Sequence, residues 1–379
     1  MIWIVFLMGG IYFFVIVSFF YGWEKLKLFV IKEEKKLPIV SVIIPMRNEE
    51  DNIGNLLNDL SMQTYPTNFF EVIVVDDHST DQSIKKAKEG DQHNFTILKL
   101  SAGFSGKKDA LNYGIKKSKG ELIITTDADC RTGINWIKSI ASFYQKNNPV
   151  MIMAPVIAFI QHTKSKSGIV SPLKKILPKL MELEMYSLLG STSGSAAIGH
   201  PVMCNGANLA FPKSVYPEIE NIFENKSIKS GDDIFSMLEL KKKHYGKVYF
   251  LKSKEATVYT HLPTNIIAFF RQRSRWASKS RFYEDPFIIF TALTVFGINL
   301  LLSVLLVHGL LTNNLLYFLI LFLIKSSIDL PFLLSVTSFF SERKLMVWFP
   351  IAESLYFLYV CVTVFVAFIL PIGWKGRKV

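Results

Sequence analysis

Residues 2–21 carry no charge and are apolar almost throughout. A helix needs about 20 apolar residues to cross a bilayer, so this stretch is long enough to span one. A cleaved signal peptide would show a positively charged start and a small-residue cleavage site, and neither is visible. We therefore expect a transmembrane anchor over residues 1–22.

Basic residues follow this stretch and set its expected orientation. They are Lys25, Lys27, Lys32, Lys35 and Lys36. By the positive-inside rule, they place the next segment in the cytoplasm. The net charge is +12, but the basic residues are spread along the chain and crowd near apolar segments. The expected partner is therefore the surface of a bilayer with anionic lipids, and no nucleic acid is expected.

The cysteines indicate a reducing compartment. Cys130, Cys204 and Cys361 lie far apart in the sequence, without the spacing of a metal site, and three cysteines cannot all pair. We expect a reduced, cytosolic domain without a zinc site.

Apolar stretches alternate with helical ones after the anchor. Strands are predicted at 39–46, 70–77, 95–100, 121–127 and 149–160, and helices at 49–61, 79–89 and 107–119. Strands that are apolar throughout and alternate with helices predict a mostly parallel α/β sheet covered on both faces.

Polar residues stand where these strands end. They are Arg47, Asn48 and Glu49, then Asp76 and Asp77, then Asp127 and Asp129. In parallel sheets ligands bind outside the carboxyl ends of the strands, so these groups should converge on one crevice. Asp127 and Asp129 point the same way in an extended segment and suit Mg²⁺ or Mn²⁺, which can neutralise a diphosphate. Each group also has a simpler interpretation. Asp-x-Asp arises by chance in many chains and usually marks a solvated turn, and Asp76 and Asp77 are also typical of a loop that caps a helix.

Two further helix starts carry charged side chains. Lys107 follows Gly106 at the start of a helix, where free N–H groups and a cation favour an anion, although the Walker spacing is absent. Asp232 and Asp233 follow Gly231. Acidic residues there are usually caps, but a carboxylate that the fold brings to a metal is also a candidate general base.

The segments before the C-terminal apolar region predict helices near a membrane. Residues 266–282 mix phenylalanine and tryptophan with arginine and lysine, which predicts a basic amphipathic helix in the membrane interface. Residues 173–189 suit either a helix lying on the membrane or a simple surface helix. Residues 190–199 are small and are expected to be a flexible run.

Three apolar stretches follow, at 287–307, 315–340 and 346–370. Lys325 and Asp329 lie within the second, one turn apart, and we expect them to pair because isolated charges at membrane depth are costly. Three full crossings would place the C-terminus outside, whereas the basic residues near it favour the inside. One stretch is therefore expected either to be re-entrant or to lie in the membrane interface, which leaves two to three spans.

Six short motifs occur in one order along the chain. They are Val-Ile-Ile-Pro-Met-Arg-Asn-Glu-Glu at 42–50, Val-Val-Asp-Asp at 74–77, Gly-Lys-Lys-Asp-Ala-Leu-Asn at 106–112, Asp-Ala-Asp at 127–129, Gly-Asp-Asp at 231–233 and Gln-x-x-Arg-Trp at 272–276. Together they resemble the membrane-bound branch of the family 2 glycosyltransferases, which includes cellulose, chitin and hyaluronan synthases and ceramide glucosyltransferase. The resemblance covers residues 40–276.

The resemblance implies a GT-A type, Rossmann-like fold and a division of the chain. The glycosyltransferase domain would be cytosolic and cover 38–262. An interface segment with the Gln-x-x-Arg-Trp motif would cover 263–284, and a C-terminal transmembrane region 286–372. The protein would be an integral protein of a bacterial-type plasma membrane.

The resemblance also implies roles for the donor side of the site. The loop with Pro45, Asn48 and Glu49 would cover the nucleotide, and Asp77, with Asp76, would bind uridine. Lys107 would face the phosphates or the donor sugar. Asp127 and Asp129 would hold the sugar and the metal.

On the acceptor side, Asp233 matches the family's catalytic base. Many relatives have Glu-Asp at this point, so Asp232 stays open as the base. Other residues are implied in contacts to the diphosphate or the acceptor: Gln272, Arg275 and Trp276, and more loosely the loop with Cys204 and Asn205.

These inferences predict an inverting, metal-dependent transfer from a UDP-sugar to a membrane-associated acceptor. About four apolar spans are few for a polymer channel, which favours a lipid or lipid-linked acceptor. The alternative is a processive synthase of a β-linked polysaccharide. A transporter or an inactive scaffold would leave the motifs unexplained.

Overall fold

The computed structural model describes residues 2–31, 36–90, 94–159, 172–225 and 231–369, together with the backbone of 373–374 and 377–378. The chain divides into two compact units. One, here called the sheet unit, contains residues 26–159 and 203–261. The other, the helical unit, contains residues 1–25, 160–202 and 262–379. Lys32 and Lys35 of the predicted positive cluster lie outside the described residues.

The sheet unit is built on a seven-stranded sheet in the order β3-β2-β1-β4-β8-β6-β9. The strands of this unit are β1 (Val40–Met46), β2 (Phe70–Asp76), β3 (Phe95–Lys99), β4 (Leu122–Thr125), β5 (Arg131–Thr132), β6 (Met151–Met153), β7 (Val156–Phe159), β8 (Leu209–Pro212), β9 (Val248–Phe250) and β10 (Val258–His261). Strands β1 to β4 pair in parallel, and β8 is antiparallel to both of its neighbours. Strand β1 is buried along nearly its whole length, and all of its residues except Ser41 are apolar, as expected for a strand covered on both faces. The predicted α/β fold with a mostly parallel sheet is confirmed.

The helices of the sheet unit follow the strands. They are α2 (Ile53–Ser61), α3 (Ser83–Glu89), α4 (Lys107–Lys117), α5 (Trp136–Asn147), α7 (Tyr216–Glu224) and α8 (Asp232–Lys243), with short 3-10 turns at Thr67–Phe69 and Lys213–Val215. Helix α4 packs very close to β1 at Gly114. A Cβ atom at this position would lie only 2.6 Å from Ile43 Cγ2, so the close packing requires a glycine. This packing fixes Lys107 at the carboxyl edge of the sheet.

One predicted strand is two strands. Residues 149–160 contain β6, which belongs to the main sheet, and β7, which pairs with β10 in a three-stranded sheet with β5. Pro155 separates them and has no N–H for a strand ladder. The carbonyl of Pro155 accepts a hydrogen bond from the side chain of Asn208.

The helical unit contains the long apolar helices. Its helices are α1 (Ile2–Lys25), α6 (Pro172–Ala197), α9 (Ile266–Ala277), α10 (Pro286–Leu311), α11 (Leu316–Phe339) and α12 (Phe349–Ile369), with 3-10 turns at Ser278–Phe282 and Arg343–Trp348. Among the described residues, four helical stretches are long and apolar enough to cross a membrane: Ile2–Lys25, Pro286–Leu311, Leu316–Phe339 and Arg343–Ile369. Beyond them, β11 (Gly373–Trp374) and β12 (Arg377–Lys378) form an antiparallel pair.

The small residues predicted as a flexible run are helical. Helix α6 continues to Ala197, and only Ile198 and Gly199 of the run lie beyond it. A side chain at Gly194 would lie 2.1 Å from the carbonyl oxygen of Phe19, and one at Gly22 would lie 2.2 Å from that of Gly194. The prediction was wrong because glycines here allow α1 and α6 to pack backbone against backbone, as small residues do in membrane helices.

The predicted pair inside α11 forms. Lys325 Nζ lies 2.7 Å from Asp329 Oδ2 and also 2.5 Å from Glu353 Oε1 on α12. Tyr12 of α1 donates a hydrogen bond to Asp329 over 2.8 Å. The charges are therefore satisfied inside the unit and join three helices.

Candidate active site

Two loops at the carboxyl edge of the sheet are hydrogen-bonded to each other. Asn48, in a left-handed conformation with φ of 51°, accepts a bond from the Thr80 N–H over 2.9 Å, and its own N–H donates to Ser79 Oγ over 3.0 Å. The Glu49 N–H donates to Ser83 Oγ over 2.7 Å. These contacts are why α2 and α3 begin at Ile53 and Ser83, four residues later than predicted, and why the loop after Pro45 has a fixed shape.

The two aspartates at the end of β2 are almost completely buried. Asp76 accepts a bond from the Ser79 N–H over 3.3 Å. Asp77 Oδ2 accepts the Gly106 N–H over 2.9 Å and lies 3.6 Å from Arg47 Nη1, which also donates to the Asp77 carbonyl. Asp77 therefore links the loops after β1, β2 and β3.

Lys107 and Asp127 form an ion pair at this edge. Lys107 Nζ lies 2.5 Å from Asp127 Oδ1, and both side chains are partly exposed. Burial lowers the pKa of Lys107, but the charges of Asp127, Asp232 and Asp233 and the hydrogen bond to Asp127 outweigh it, so the pKa of Lys107 is raised. The protonated amine of Lys107 is therefore able to form an ion pair with an anionic ligand at this site.

Asp232 and Asp233 begin helix α8 and differ in exposure. Asp232 is 7% exposed, whereas Asp233 is half-buried. Asp233 Oδ2 accepts the Gly206 N–H over 3.2 Å, and its Oδ1 accepts the Ile234 N–H over 2.8 Å. The carboxylate of Asp233 is thus held in one orientation.

Gly206 lies between the two ends of this cluster. A Cβ built at Gly206 would be 3.4 Å from both Lys107 Nζ and Asp233 Cβ. The carbonyl of Gly206 accepts a bond from Thr125 Oγ1, at the end of β4, over 3.1 Å. One short stretch of backbone thereby connects β4, α4 and α8, so Lys107, Asp127 and Asp233 occupy one site.

Asp129 follows Asp127 after β4, and both are half-buried. The neighbouring Cys130 is buried, and burial, followed by the charges of Asp129 and Asp127, raises the pKa of its thiol. Within the described ranges, no group of three or more His, Cys, Asp or Glu side chains is arranged to hold a metal. Two hard carboxylates at an open edge fit a Mg²⁺ or Mn²⁺ ion whose remaining ligands are phosphate oxygens.

The loop before β8, predicted from Cys204 to Asn208 on the acceptor side, is held by Asn208, whose role in fixing the loop the sequence did not predict. Asn208 is fully buried, donates from Nδ2 to the carbonyls of Pro155 and Ala256, and accepts at Oδ1 from Trp136 Nε1. Its N–H donates to the carbonyl of Asn205, which belongs to the predicted acceptor loop. A polar residue inside an apolar stretch was the available signal. Cys204 and Asn205 themselves are half-buried.

The Gln-x-x-Arg-Trp motif lies on α9 of the helical unit. Gln272, Arg275 and Trp276 are all half-buried there. Arg273, which the sequence reasoning did not single out, is 3% exposed and pairs with Glu184. The predicted amphipathic helix at 266–282 forms from α9 and the 3-10 turn that follows it.

Two family profiles match the chain. Glycosyl transferase family 2 matches residues 41–199, and Glycosyl transferase family group 2 matches residues 122–370. The chain belongs to glycosyl transferase family group 2. This membership confirms the predicted resemblance to the family 2 glycosyltransferases, and the roles of the six motifs stay predictions.

Individual relatives match parts of the chain. Glycosyltransferase AglE of Haloferax volcanii is 38% identical over 104 residues, which are 27% of this chain and 34% of that protein. Probable glycosyltransferase YdaM of Bacillus subtilis is 25% identical over 265 residues, 67% of this chain and 58% of that protein. Beta-monoglucosyldiacylglycerol synthase of a Nostoc species is 33% identical over 115 residues, 29% of this chain and 24% of that protein. The matched region thus spans less than two thirds of the length of each of these relatives.

One solved structure matches along nearly the whole chain. It is the mannosyltransferase PcManGT from Pyrobaculum calidifontis, determined with GDP-Man and Mn²⁺, at a TM-score of 0.60 and 15% identity. The match covers 96% of this chain and 97% of that one. At this identity the likeness shows a shared fold.

Proposed function

We propose that this protein is an inverting glycosyltransferase that moves a sugar from a UDP-sugar to a membrane-associated acceptor. The observation that carries the proposal is the cluster of Lys107, Asp127 and Asp233 around Gly206. It places a protonated amine, an ion-paired carboxylate and an oriented carboxylate at the edge of the sheet where ligands bind in α/β folds.

The donor would bind across the linked loops. Asp76 and Asp77 would define the place of the uracil and ribose, under the loop from Pro45 to Glu49. Lys107 would move part of its interaction from Asp127 to the diphosphate, since a cation at a helix N-terminus favours a phosphate group. GDP is a second candidate nucleotide, because PcManGT was solved with GDP-Man.

Asp127 and Asp129 would hold the metal. Mg²⁺ or Mn²⁺ bound there would neutralise charge on the departing diphosphate.

Asp233 is the proposed general base. Its carboxylate would take the proton of the acceptor hydroxyl while that oxygen forms a bond to the anomeric carbon. The bond from that carbon to the diphosphate oxygen breaks at the same time, so one displacement inverts the configuration. Asp233 is favoured over Asp232 because Asp232 is almost completely buried.

The acceptor would be a lipid or a lipid-linked glycan. Four apolar helical stretches support a membrane location, and Lys25, Lys27 and Lys36 support a cytoplasmic sheet unit. Trp276 would offer its ring to the acceptor, and Gln272, Arg275, Cys204 and Asn205 would also contact the diphosphate or the acceptor. A polysaccharide acceptor is the alternative.

Nucleotide release from a donor panel tests this function. Purified protein in nanodiscs with host lipids is given UDP-glucose, UDP-galactose, UDP-GlcNAc, UDP-glucuronate and GDP-Man, each with Mn²⁺ or Mg²⁺. We expect release from one UDP-sugar, abolished by EDTA and reduced by Asp129→Asn, with a glycosylated lipid as the product. Release from GDP-Man alone would overturn the nucleotide assignment, and a long polymer as the product would favour the alternative acceptor. No release from any donor would overturn the function.

A further inference from the structure

Arg273 is a charged residue inside the Gln-x-x-Arg-Trp motif, at a position that the motif leaves open. Its side chain is only 3% exposed, whereas Arg271 and Arg275 on the same amphipathic helix are more exposed to solvent. Burying a guanidinium is costly unless it is paired and hydrogen-bonded. The partners of Arg273 therefore indicate what the residue does.

The guanidinium is held by a two-point contact from α6. Arg273 Nε donates to Glu184 Oε1 over 2.8 Å, and Nη2 donates to Glu184 Oε2 over 2.5 Å. Tyr359 of α12 donates to the same Oε1 over 3.0 Å. The planar guanidinium is thus fixed in both position and rotation, which a lysine ammonium would not be.

The third nitrogen of the guanidinium and the face of the group contact residues of the motif itself. Nη1 donates to Gln272 Oε1 over 2.5 Å. The central carbon lies 4.2 Å from the centroid of the Trp276 ring and 4.8 Å from that of Phe269. One side chain therefore orients both the amide of Gln272 and the ring of Trp276, through a hydrogen bond and a cation–π contact.

We propose that Arg273, clamped by Glu184, is a positioning residue that holds Trp276 and Gln272 in one orientation for the acceptor. This inference rests on the proposed function for its kinetic consequence. A purely structural role, in which the pair only joins α9 to α6, is the alternative that the test must separate.

A pair of apolar replacements separates the two roles. Exchanging a buried ion pair for apolar residues of similar volume is often neutral for stability. Glu184→Leu combined with Arg273→Met should therefore keep the melting temperature in detergent, yet release Trp276. Arg273→Lys is the second variant, since it keeps the charge but loses the two-point contact. Arg271→Lys, an exposed change two residues away on the same helix, is the control.

The kinetic readout is the acceptor side of the reaction. For both Arg273 variants we expect kcat/KM for the acceptor to fall roughly tenfold, with the KM of the donor unchanged, as loss of a cation–π contact and a charged hydrogen bond implies. Arg271→Lys should match the wild type. Wild-type acceptor kinetics in either folded variant would overturn the inference and leave the pair a structural clamp.

A fluorescence readout is independent of activity. The Trp276 contribution is the difference between each protein and its Trp276→Phe counterpart. We expect this contribution to shift in wavelength and to become more accessible to acrylamide when Arg273 is replaced. If the wild type releases no nucleotide, the proposed function fails, but the fluorescence still decides the inference: an unchanged Trp276 signal overturns it.

Discussion

Lys107 Nζ lies 2.5 Å from Asp127 Oδ1, which ties the first residue of α4 to the end of β4. Both residues come from motifs that are weak when taken singly. Their contact turns two separate sequence signals into one charged site, with Gly206 and Asp233 beside it. In the proposed reaction, the diphosphate of the donor would bind the ammonium group of Lys107 beside Asp127.

Replacing Lys107 should weaken donor binding. Because a hydrogen bond to a charged group contributes about 1.5–3 kcal/mol, Lys107→Ala should raise the KM of the donor by roughly 10- to 100-fold. The raised pKa of Lys107 also means that the residue stays protonated from pH 6 to 9, so the donor KM should show no lysine titration there. Steady-state kinetics across that range measure both effects. Lys117→Ala, at the exposed end of the same helix, should change neither, and a normal donor KM in Lys107→Ala would contradict the assignment.

The cysteines should react unequally with a thiol reagent. Cys130 is buried and has a raised thiol pKa, whereas Cys204 is half-buried on the loop that leads to Gly206. Because the thiolate is the reactive form, iodoacetamide at pH 7.5 should label Cys204 and spare Cys130, as mass spectrometry of peptides would show. Donor with Mn²⁺ should slow the labelling of Cys204. Equal labelling of both would contradict the described burial.

The charge cluster around Lys325 should matter for stability. Lys325 is 1% exposed and is held by Asp329 and Glu353, so Lys325→Met would leave the buried carboxylate of Glu353 and the half-buried carboxylate of Asp329 without their cation. Removing one partner of a buried pair costs about 3–5 kcal/mol. Thermal unfolding in detergent should therefore show a clearly lower midpoint, while Lys344→Met, an exposed change, should not. A midpoint equal to that of the wild type would mean that the cluster adds nothing to folding.

The loop contacts of Asp81 predict a stability change in acid. Although burial raises the pKa of Asp81, hydrogen bonds from the Ser83 side chain and from the backbone of Ser83 and Glu50 lower it overall. A lowered folded-state pKa stabilises the fold above the ordinary carboxylate pKa, and the effect is lost as the pH falls through the folded-state value. Asp81→Asn should therefore cost stability in urea unfolding at pH 7 and much less at pH 3. Asp51→Asn, an exposed change, should show no such dependence; a cost for Asp81→Asn that is the same at both pH values would contradict the prediction.

The parallel strands β1 to β4 could be predicted because a buried parallel strand is apolar on both faces, whereas β8 and β9 were not predicted. The prediction for residues 39–46 differs from β1 by one residue, and that for 70–77 from β2 by one. The helix starts were less predictable. Helices α2 and α3 begin late because Glu49 and Ser83, far apart in the sequence, bond to each other.

Long-range partners explain what the sequence missed. Helix α6 runs through the small residues near its end because Gly194 meets Phe19 of α1, and no local pattern encodes that contact. In the sequence, Arg273 is one of several basic residues in its segment. Its burial could not be predicted, because its partner Glu184 is far away in the chain. The six motifs, in contrast, were visible because each is short and the order of all six is specific.

The assignment of the base tests the central claim most directly. Rates of UDP release from the preferred donor are compared for the wild type, Asp233→Asn and Asp232→Asn, with circular dichroism to confirm that each is folded. A general base contributes roughly 10²- to 10⁴-fold, so Asp233→Asn should lose at least about a hundredfold in kcat, and Asp232→Asn should lose less. Full activity of folded Asp233→Asn would contradict the proposed reaction site.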